Sequence, residues 1–154
     1  MADCIVSQIT QSLKDRLESL STYGGTPTVE LSRLFSLIND RYPYIEIIGP
    51  IVEIETQTYQ VADSQLTYIL KYYINVNDEN ETENKEISYL VRNVAADIIK
   101  HIMNDPSRGS LAQNTKVLEY GADFEIIGEQ VEFFVYVIIE IKALIEATDP
   151  YLIG

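Results

Sequence analysis

The 154-residue sequence contains one cysteine, one histidine and no tryptophan. A single cysteine, Cys4, excludes an internal disulfide and a zinc site built on several thiolates, and it favours a reducing compartment. We interpret Cys4 as a small apolar residue of the first helix. Only a carboxylate metal site would remain, and the acidic segment around Asp78 lacks the spacing and the glycine of an EF-hand. We therefore expect no metal and no cofactor.

Basic residues are also scarce. Eleven lysines and arginines stand against 24 aspartates and glutamates, which gives a net charge of −13, and no segment gathers several cations. Attraction to nucleic-acid phosphates needs clustered cations, so the composition argues against DNA binding of that kind. An acidic protein can still lie beside DNA that must pass without adhering. Solubility is the alternative explanation for the acidity.

Glycine and proline are few, at seven and five residues, and 46% of the chain is hydrophobic, as in a globular domain. No basic segment followed by an apolar stretch opens the chain, so we expect no secretion signal. The most apolar run, FFVYVIIEIKALI, carries Glu140 and Lys142. It is too short and too charged to span a bilayer, so we expect no membrane association.

Helical spacing of apolar residues occurs in three segments. Residues 2–20 are predicted to form an N-terminal helix because their apolar positions recur at intervals of three and four. After the loop STYGGTPT, Leu31, Leu34, Phe35 and Ile38 favour a short helix over about Val29 to Asp40. The main helix is predicted from about Glu83 to Met103, after the acidic loop NDENETENKE, in which Asn80 and Glu83 have the spacing of a capping box.

Alternation of apolar and polar residues predicts strands in the remaining segments. SQLTYILKYYINV alternates throughout, whereas YIEIIGPIVEIETQT is interrupted at Gly49 and Pro50, which indicates an edge strand with a bulge or two short strands. NTKVLEY and DFEIIG are predicted as strands broken at Gly121. From Val131 to Glu146 the alternation would extend roughly 50 Å, so we expect part of this strand to lie beyond the core.

The order of these elements predicts an α+β fold, with an antiparallel or mixed sheet packed against helices. No repeat and no linker interrupts the chain. We therefore expect a single domain over residues 1–154, with the N-terminal helix at about 2–20, the sheet and main helix at about 42–146 and a short C-terminal tail.

The segment HIMNDPSRGSLAQNT brings His101 close in sequence to Asp105 and Ser110, which are the residue types of a hydrolytic site. His101 falls in the last helical turn, however, and neither serine lies in a G-x-S-x-G elbow. The pair Gly24 and Gly25 also lacks the lysine of a phosphate-binding loop. No enzyme signature remains, and we predict a protein that is not an enzyme.

The same segment does predict a corner of the backbone. Asp105 and Pro106 fit the first two positions of a type I turn, which ends the helix near Asn104. Gly109 can adopt a positive φ and direct the chain toward the next strand. We expect Arg108 to be exposed at the tip of this corner, either as a solvated charge or in contact with a carboxylate of a neighbouring subunit.

The main helix ends in NDPSRGSLAQNTKVLEY, and a polar break and GEQVEFFVYVIIEIKAL follow it. This arrangement resembles the tail terminator, or tail-completion, proteins of tailed bacteriophages. The strand SQLTYILKYYINV and the acidic loop before the helix occupy the expected order. The resemblance covers about residues 42–146, and the N-terminal helix also fits. The sequence departs from the family pattern at Ser107 and Arg108, where a small apolar residue and a glycine are frequent, so no family role is assigned to these positions.

The resemblance implies a tail-terminator-like fold with a long C-terminal strand, in a structural protein of the virion that assembles in the host cytoplasm. Such proteins form a hexameric ring on the tail tube, end tube polymerisation and join the tail to the head or neck. The implied partners are further copies of the chain, the tail tube protein and a neck or head-completion protein, with sheath protein as another candidate. DNA would be passing cargo only.

A long strand that extends beyond its own core can pack on a neighbour, as ring closure requires. The candidate interface for a subunit or partner is therefore Arg108 with one face of the long strand: Glu132, Phe134, Tyr136, Glu140, Lys142 and Leu144. The alternative function is a small acidic binding module, such as an adaptor, a chaperone or another neck protein, that recognises a basic protein partner. An enzyme would require a chemical role for His101.

Overall fold

The computed structural model describes residues 3–22, 25–31, 43–74, 87–127 and 129–154. Within them the elements follow the order α1 (Ile5–Glu18), β1 (Thr28–Leu31), β2 (Tyr44–Gln57), β3 (Val61–Tyr73), α2 (Ile87–Met103), β4 (Asn114–Ile127) and β5 (Gln130–Glu146). The strands form one sheet in the order β1-β2-β3-β5-β4. β1 runs parallel to β2 and the other neighbours are antiparallel. The predicted α+β class with a mixed sheet is confirmed.

The core lies between the two helices and one face of the sheet. The apolar stripes of α1 and α2 pack against alternate strand residues in a single cluster, because each helix has one apolar face and each strand turns every second side chain toward it. We call this the helix-side face. We call the opposite face, which points away from α1 and α2, the helix-free face; the name refers to the described residues alone.

β5 is a central strand whose two neighbours are staggered along it. β3 pairs with residues 134–146 of β5, and β4 pairs with residues 130–142. Val135, Val137, Ile139 and Ile141 on its helix-side face are fully buried. Beyond Phe134 the ladder with β3 ends with one more hydrogen bond, from the Ile74 amide to the carbonyl of Phe133 at 3.3 Å, and Val131 is 66% exposed. Part of the long strand therefore does extend beyond the core, at its N-terminal end.

The C-terminal tail continues the sheet where β4 stops. The amide of Glu146 donates to the carbonyl of Leu152 at 2.9 Å, and the amide of Gly154 donates to the carbonyl of Leu144 at 3.0 Å. The tail also reaches α1, because the amide of Ile5 donates to the carbonyl of Pro150 at 3.0 Å. The last residues thus complete the edge of β5 and fix the start of α1.

The short helix predicted from about Val29 to Asp40 is wrong at its start. Thr28–Leu31 is a strand that pairs in parallel with Tyr44–Ile47, and Val29 is buried. Pairing with β2 decides the conformation of so short a segment, whatever its intrinsic preference. The rest of that helix lies outside the described residues, as does the predicted capping box at Asn80 and Glu83.

Two glycines interrupt the sequence pattern in different ways. β2 is one strand with a register shift between Ile48 and Ile51. β1 pairs with it only as far as Ile47, so no described strand lies on that side of Pro50 to accept the hydrogen bond that proline cannot donate. The predicted break at Gly121 is wrong, because β4 runs through it. A Cβ at Gly121 would lie 2.8 Å from the Tyr136 hydroxyl oxygen. This glycine makes room for a neighbouring ring.

Candidate functional site

The corner after α2 has the predicted backbone. α2 ends at Met103, and the amide of Arg108 donates to the carbonyl of Asp105 at 3.3 Å, as in a type I turn. The Asp105 carboxylate accepts hydrogen bonds from the Gly109 amide at 2.9 Å and from the Ser107 hydroxyl at 3.2 Å. Gly109 has a φ of 67°. These contacts of Asp105 stabilise the turn and do not involve His101.

The side chain of Arg108 is buried, at 1% exposure, so the prediction of an exposed arginine is wrong. Its guanidinium donates hydrogen bonds to the carbonyl oxygens of Ile102 and Asp105. The Ile102 carbonyl belongs to the last turn of α2 and the Asp105 carbonyl to the turn that follows. The C-terminal end of a helix leaves acceptors unpaired and favours a cation. Burial lowers the pKa of Arg108, although the charge of Asp105 opposes this shift. A buried guanidinium is not available for contact with another subunit.

His101 joins the C-terminal ends of the two helices. Its Nε2 atom lies 2.7 Å from the carbonyl oxygen of Arg16 and 2.9 Å from the Ser19 hydroxyl. Since a carbonyl can only accept, Nε2 carries the proton. The Arg16 Nε atom in turn donates to the carbonyl of His101 at 2.9 Å. The histidine that first suggested chemistry thus has a packing role between α1 and α2.

Every charged residue of the five strands lies on the helix-free face, because the register aligns these positions across the sheet. Three are lysines and eleven are acidic. The lysines are Lys71, Lys116 and Lys142; the acidic residues are Glu30, Glu46, Glu53, Glu55, Asp63, Glu119, Asp123, Glu125, Glu132, Glu140 and Glu146.

The helices on the other side of the sheet are nearly neutral. α1 carries Lys14, Asp15, Arg16 and Glu18, and α2 carries Arg92, Asp97 and Lys100 in addition to His101. Among the residues that the structure describes, the excess of negative charge is therefore concentrated on one surface.

The structure places the predicted β5 interface residues on this helix-free face, but two of them are not accessible. Glu132 is 1% exposed and Phe134 is 6% exposed, so neither side chain is accessible in the single chain, and their role as contact residues stays a prediction. Phe134 packs in a small aromatic cluster on this face instead. Tyr136, Glu140, Lys142 and Leu144 are half-buried and stay candidates. Lys142 Nζ lies 3.5 Å from the carboxylate of Glu55.

The aromatic cluster crosses three strands at one end of the helix-free face. Tyr44, Tyr73, Phe134 and Tyr136 follow one another with ring centroids 6.0, 5.4 and 6.5 Å apart, in tilted arrangements that favour ring contact. Lys71 Nζ lies 4.7 Å from the centroid of the Phe134 ring and forms an ion pair with Glu125 of β4. These contacts tie the β4–β5 hairpin to β3, which is a structural role.

Sequence reasoning missed an apolar surface and a pocket of mixed polarity. The first, the tip patch, consists of Phe124, Ile126 and Val131 on the helix-side face of the β4–β5 hairpin, which are 60%, 71% and 66% exposed. The segments DFEII and QVEFF alternate just as the buried strands do. The sequence therefore signals their apolar face but not that this part of the hairpin extends beyond the buried core.

The second surface, the α1–β2 pocket, is a concavity of about 360 Å³ between α1, the end of β1 and the bulge of β2. Val6, Leu31 and Pro50 supply its apolar wall. The other lining residues are Asp3, Ser7, Thr10, Gln11 and Gly49. No local sequence signal marks it, because three distant segments form it.

No protein-family model and no curated protein sequence matches this chain. Within the described part of the chain, no helix is long and apolar enough to cross a membrane. Among the same residues, no group of three or more histidine, cysteine or carboxylate side chains is placed to hold a metal ion. Interpretation of function therefore depends on surfaces and charge.

Proposed function

We propose that this protein is a structural component of a bacteriophage virion that caps the tail tube as a hexameric ring. It ends tube polymerisation and joins the tail to the head or neck, and its central channel lets DNA pass. The observation that carries the proposal is the acidic helix-free face, where eleven carboxylates stand against three lysines. The ring itself and its copy number come from the resemblance in residues 42–146.

In a ring, each subunit turns one surface toward the channel, and in this proposal that surface is the helix-free face. Exposed charges act over about 8 Å at physiological salt. The residues that line the channel therefore determine the electrostatic interaction between the ring and the DNA phosphates. The strands place eleven carboxylates and three lysines on this face, and nine of the carboxylates are at least partly exposed, because Glu46 and Glu132 are buried. Repulsion of phosphates keeps DNA from adhering, while the near-neutral helices lie outside.

Ring closure also needs two different contact surfaces on each subunit, since a self-complementary surface gives a closed dimer. The tip patch lies on the β4 side of the sheet and the α1–β2 pocket lies on the β2 side, at opposite edges. This separation is compatible with head-to-tail association and supports the proposal.

Imaging of tail tubes provides the direct test. The protein is mixed with tubes purified from the phage that encodes it, and negative-stain images are scored for rings at tube ends. We expect one ring per capped end and no further growth when tube protein is added. Tubes that remain uncapped and continue to grow at saturating protein would refute the function.

A matched pair of variants tests the orientation of the subunit. Glu53→Lys with Asp123→Lys raises the net charge of the helix-free face by four, and Asp15→Lys with Glu18→Lys raises that of α1 by the same amount; all four residues are exposed. In capped tails we expect the first pair alone to retain DNA during ejection, in a salt-dependent way. Equal retention by both pairs would contradict a channel lined by the helix-free face.

The same acidic face also favours the alternative function, a binding module for a basic protein. That hypothesis predicts a monomer that binds its partner through the helix-free face and releases it at high salt. Rings on tube ends are not expected from it. The Glu53 and Asp123 pair of substitutions would abolish partner binding without any effect on tube length.

A further inference from the structure

β4 is the last strand of the sheet, and no described strand pairs with its outer edge. After the register shift between Val117 and Glu119, residues 119–127 pair with β5 without interruption. This stretch contains no proline and no lysine, which are residues that commonly protect a strand edge. It is therefore a regular edge that another strand can join.

Two hydrogen bonds show which main-chain groups of β4 point away from β5. The Ile74 amide donates to the carbonyl of Phe133 at 3.3 Å, so the main-chain groups of Phe133 are directed toward β3 and not toward Phe124, its partner on β4. The Phe124 amide instead donates to the side-chain carboxylate of Asp123 at 2.8 Å. Because the direction alternates along a strand, every second residue of this stretch presents its amide and carbonyl at the outer edge. These residues include Tyr120, Ala122 and Phe124.

The side chains along this edge differ between the two faces of the sheet. On the helix-side face, Tyr120 and Phe124 are 51% and 60% exposed, and Ala122 between them is exposed as well. On the helix-free face, Glu119 and Asp123 are exposed, and neither forms an ion pair with a residue that the structure describes. A strand that fits this edge therefore carries apolar residues on one face and cations on the other.

Charge argues against a second copy of β4 as the added strand. Antiparallel pairing of two copies about Ala122 would place Glu125 opposite Glu119, and pairing about Phe124 would place Glu125 opposite Asp123. Like charges directly opposite one another destabilise a strand pair, and two chains with a net charge of −13 also repel. The cations must come from a different protein.

We propose that the outer edge of β4 binds an extended segment of a basic partner protein, which joins the sheet as an additional antiparallel strand. Its apolar residues lie beside Tyr120 and Phe124, and its lysines or arginines lie beside Glu119 and Asp123. Main-chain hydrogen bonds give such binding its affinity, and the alternate side chains give it specificity. The inference goes beyond the proposed ring and does not depend on it, because it concerns the single chain in solution.

A synthetic peptide of alternating lysine and valine, acetyl-KVKVKVK-amide with a fluorescent label, is the probe. Aligned with residues 119–125, its valines lie opposite Tyr120, Ala122 and Phe124, and its lysines lie on the face of the carboxylates. Fluorescence anisotropy measures its binding to the full-length chain. We expect at least tenfold weaker binding of KKVVVKK, which has the same composition without the alternation, and none of EVEVEVE. Equal affinity for KVKVKVK and KKVVVKK would overturn the inference.

Methylation of the peptide main chain separates strand addition from attraction between charges alone. In the antiparallel arrangement the valine amides donate to β4, whereas the lysine amides point away from it. We expect methylation of the three valine nitrogens to abolish binding and methylation of three lysine nitrogens to leave it within about threefold. Equal affinity of the two methylated peptides would contradict an added strand, since both carry the same charge.

Variants of the chain locate the binding edge. Ala122→Pro removes an outward amide without removing a bond to β5, and Ala122→Thr is the control that keeps this amide. We expect the proline variant to lose binding and the threonine variant to retain it, with far-ultraviolet circular dichroism as the check on folding.

A matched pair of charge variants keeps the test decisive even if the proline variant does not fold. Glu119→Lys with Asp123→Lys is expected to weaken binding at least tenfold, whereas Asp15→Lys with Glu18→Lys makes the same change of charge on α1 and should alter it less than twofold. Equal effects of the two pairs would refute binding at β4. Dimerisation of the chain through this edge, without any peptide, would identify a second copy as the occupant and would also overturn the proposal.

Discussion

Replacement of Arg108 with methionine tests whether this side chain caps α2 or serves a surface contact. Methionine keeps an unbranched side chain that packs in apolar surroundings but lacks the guanidinium that donates to Ile102 and Asp105. The residue is 1% exposed, so water does not replace the lost donors. We therefore expect the variant to lose stability.

The magnitude follows from two opposing contributions. Hydrogen bonds from a charged donor contribute about 1.5–3 kcal/mol each, and a cation at a helix C-terminus adds about 0.3–1 kcal/mol. Removal of the guanidinium also removes the free-energy cost of burying its charge. Part of this cost comes from Nε, which has no hydrogen-bond acceptor among the residues that the structure describes. We expect a net loss of about 2–3 kcal/mol, which for a domain of this size lowers Tm by about 5–10 °C.

Urea and thermal denaturation, followed by circular dichroism, measure this loss. Lys100→Met is the control, because Lys100 is a cation in the last turn of α2 whose side chain is exposed; we expect it to change the free energy of unfolding by less than about 0.5 kcal/mol. An Arg108→Met protein with wild-type stability that fails to assemble would refute the cap and restore a surface role.

Two further predictions concern Tyr68 and the glycines of β2 and β4. Burial raises the pKa of Tyr68 to about 12, from an ordinary tyrosine value of about 10. The buried neutral phenol therefore contributes its full stability below about pH 10, and this contribution is lost as the pH rises through about 12. Tyr68→Phe, which removes a 2.7 Å hydrogen bond to Thr10, should cost about 1 kcal/mol at pH 8 in urea denaturation and nothing by pH 11; a constant difference would contradict the burial. Gly49→Ala should cost about 2–3 kcal/mol, because φ is 108° and a Cβ would lie 2.8 Å from the carbonyl oxygen of Thr67. Gly121→Ala should stay within about 1 kcal/mol, since the side chain of Tyr136 can move and alanine suits a strand better; equal losses at both sites in thermal denaturation would contradict this contrast.

Periodicity in the sequence was sufficient for the elements that bury a continuous stripe. α1, α2, β3 and β5 each place many apolar residues on one side, so their type is determined locally. β1 has four residues, and its conformation depends on a partner thirteen positions beyond its end, at Tyr44. Gly121 shows the same limit, because the ring of Tyr136 that explains it belongs to another strand.

The corner at Asp105 separates what local chemistry predicts from what it does not. The sequence Asp-Pro-Ser-Arg-Gly predicts the turn, since each residue has a known preference for its position. It does not predict that Arg108 adopts a φ of 50° and Ser110 a φ of 71°. In that conformation the guanidinium lies against the end of α2. The direction of one side chain thus decided between a surface contact and a helix cap.

The acidic face poses a similar question about cause. Its position needs no special explanation, because the helix-side positions of the strands form the core and charged residues are excluded from them. The sign of its charge is a different matter. Solubility requires net charge but no particular placement, and the helices, which are equally free to carry acids, are nearly neutral. We therefore propose that this surface, whose strands carry eleven carboxylates and three lysines, meets a charged molecule. Repulsion of DNA and attraction of a basic protein both fit this surface. Added salt separates the two hypotheses, because it releases a basic partner that is held by attraction between charges.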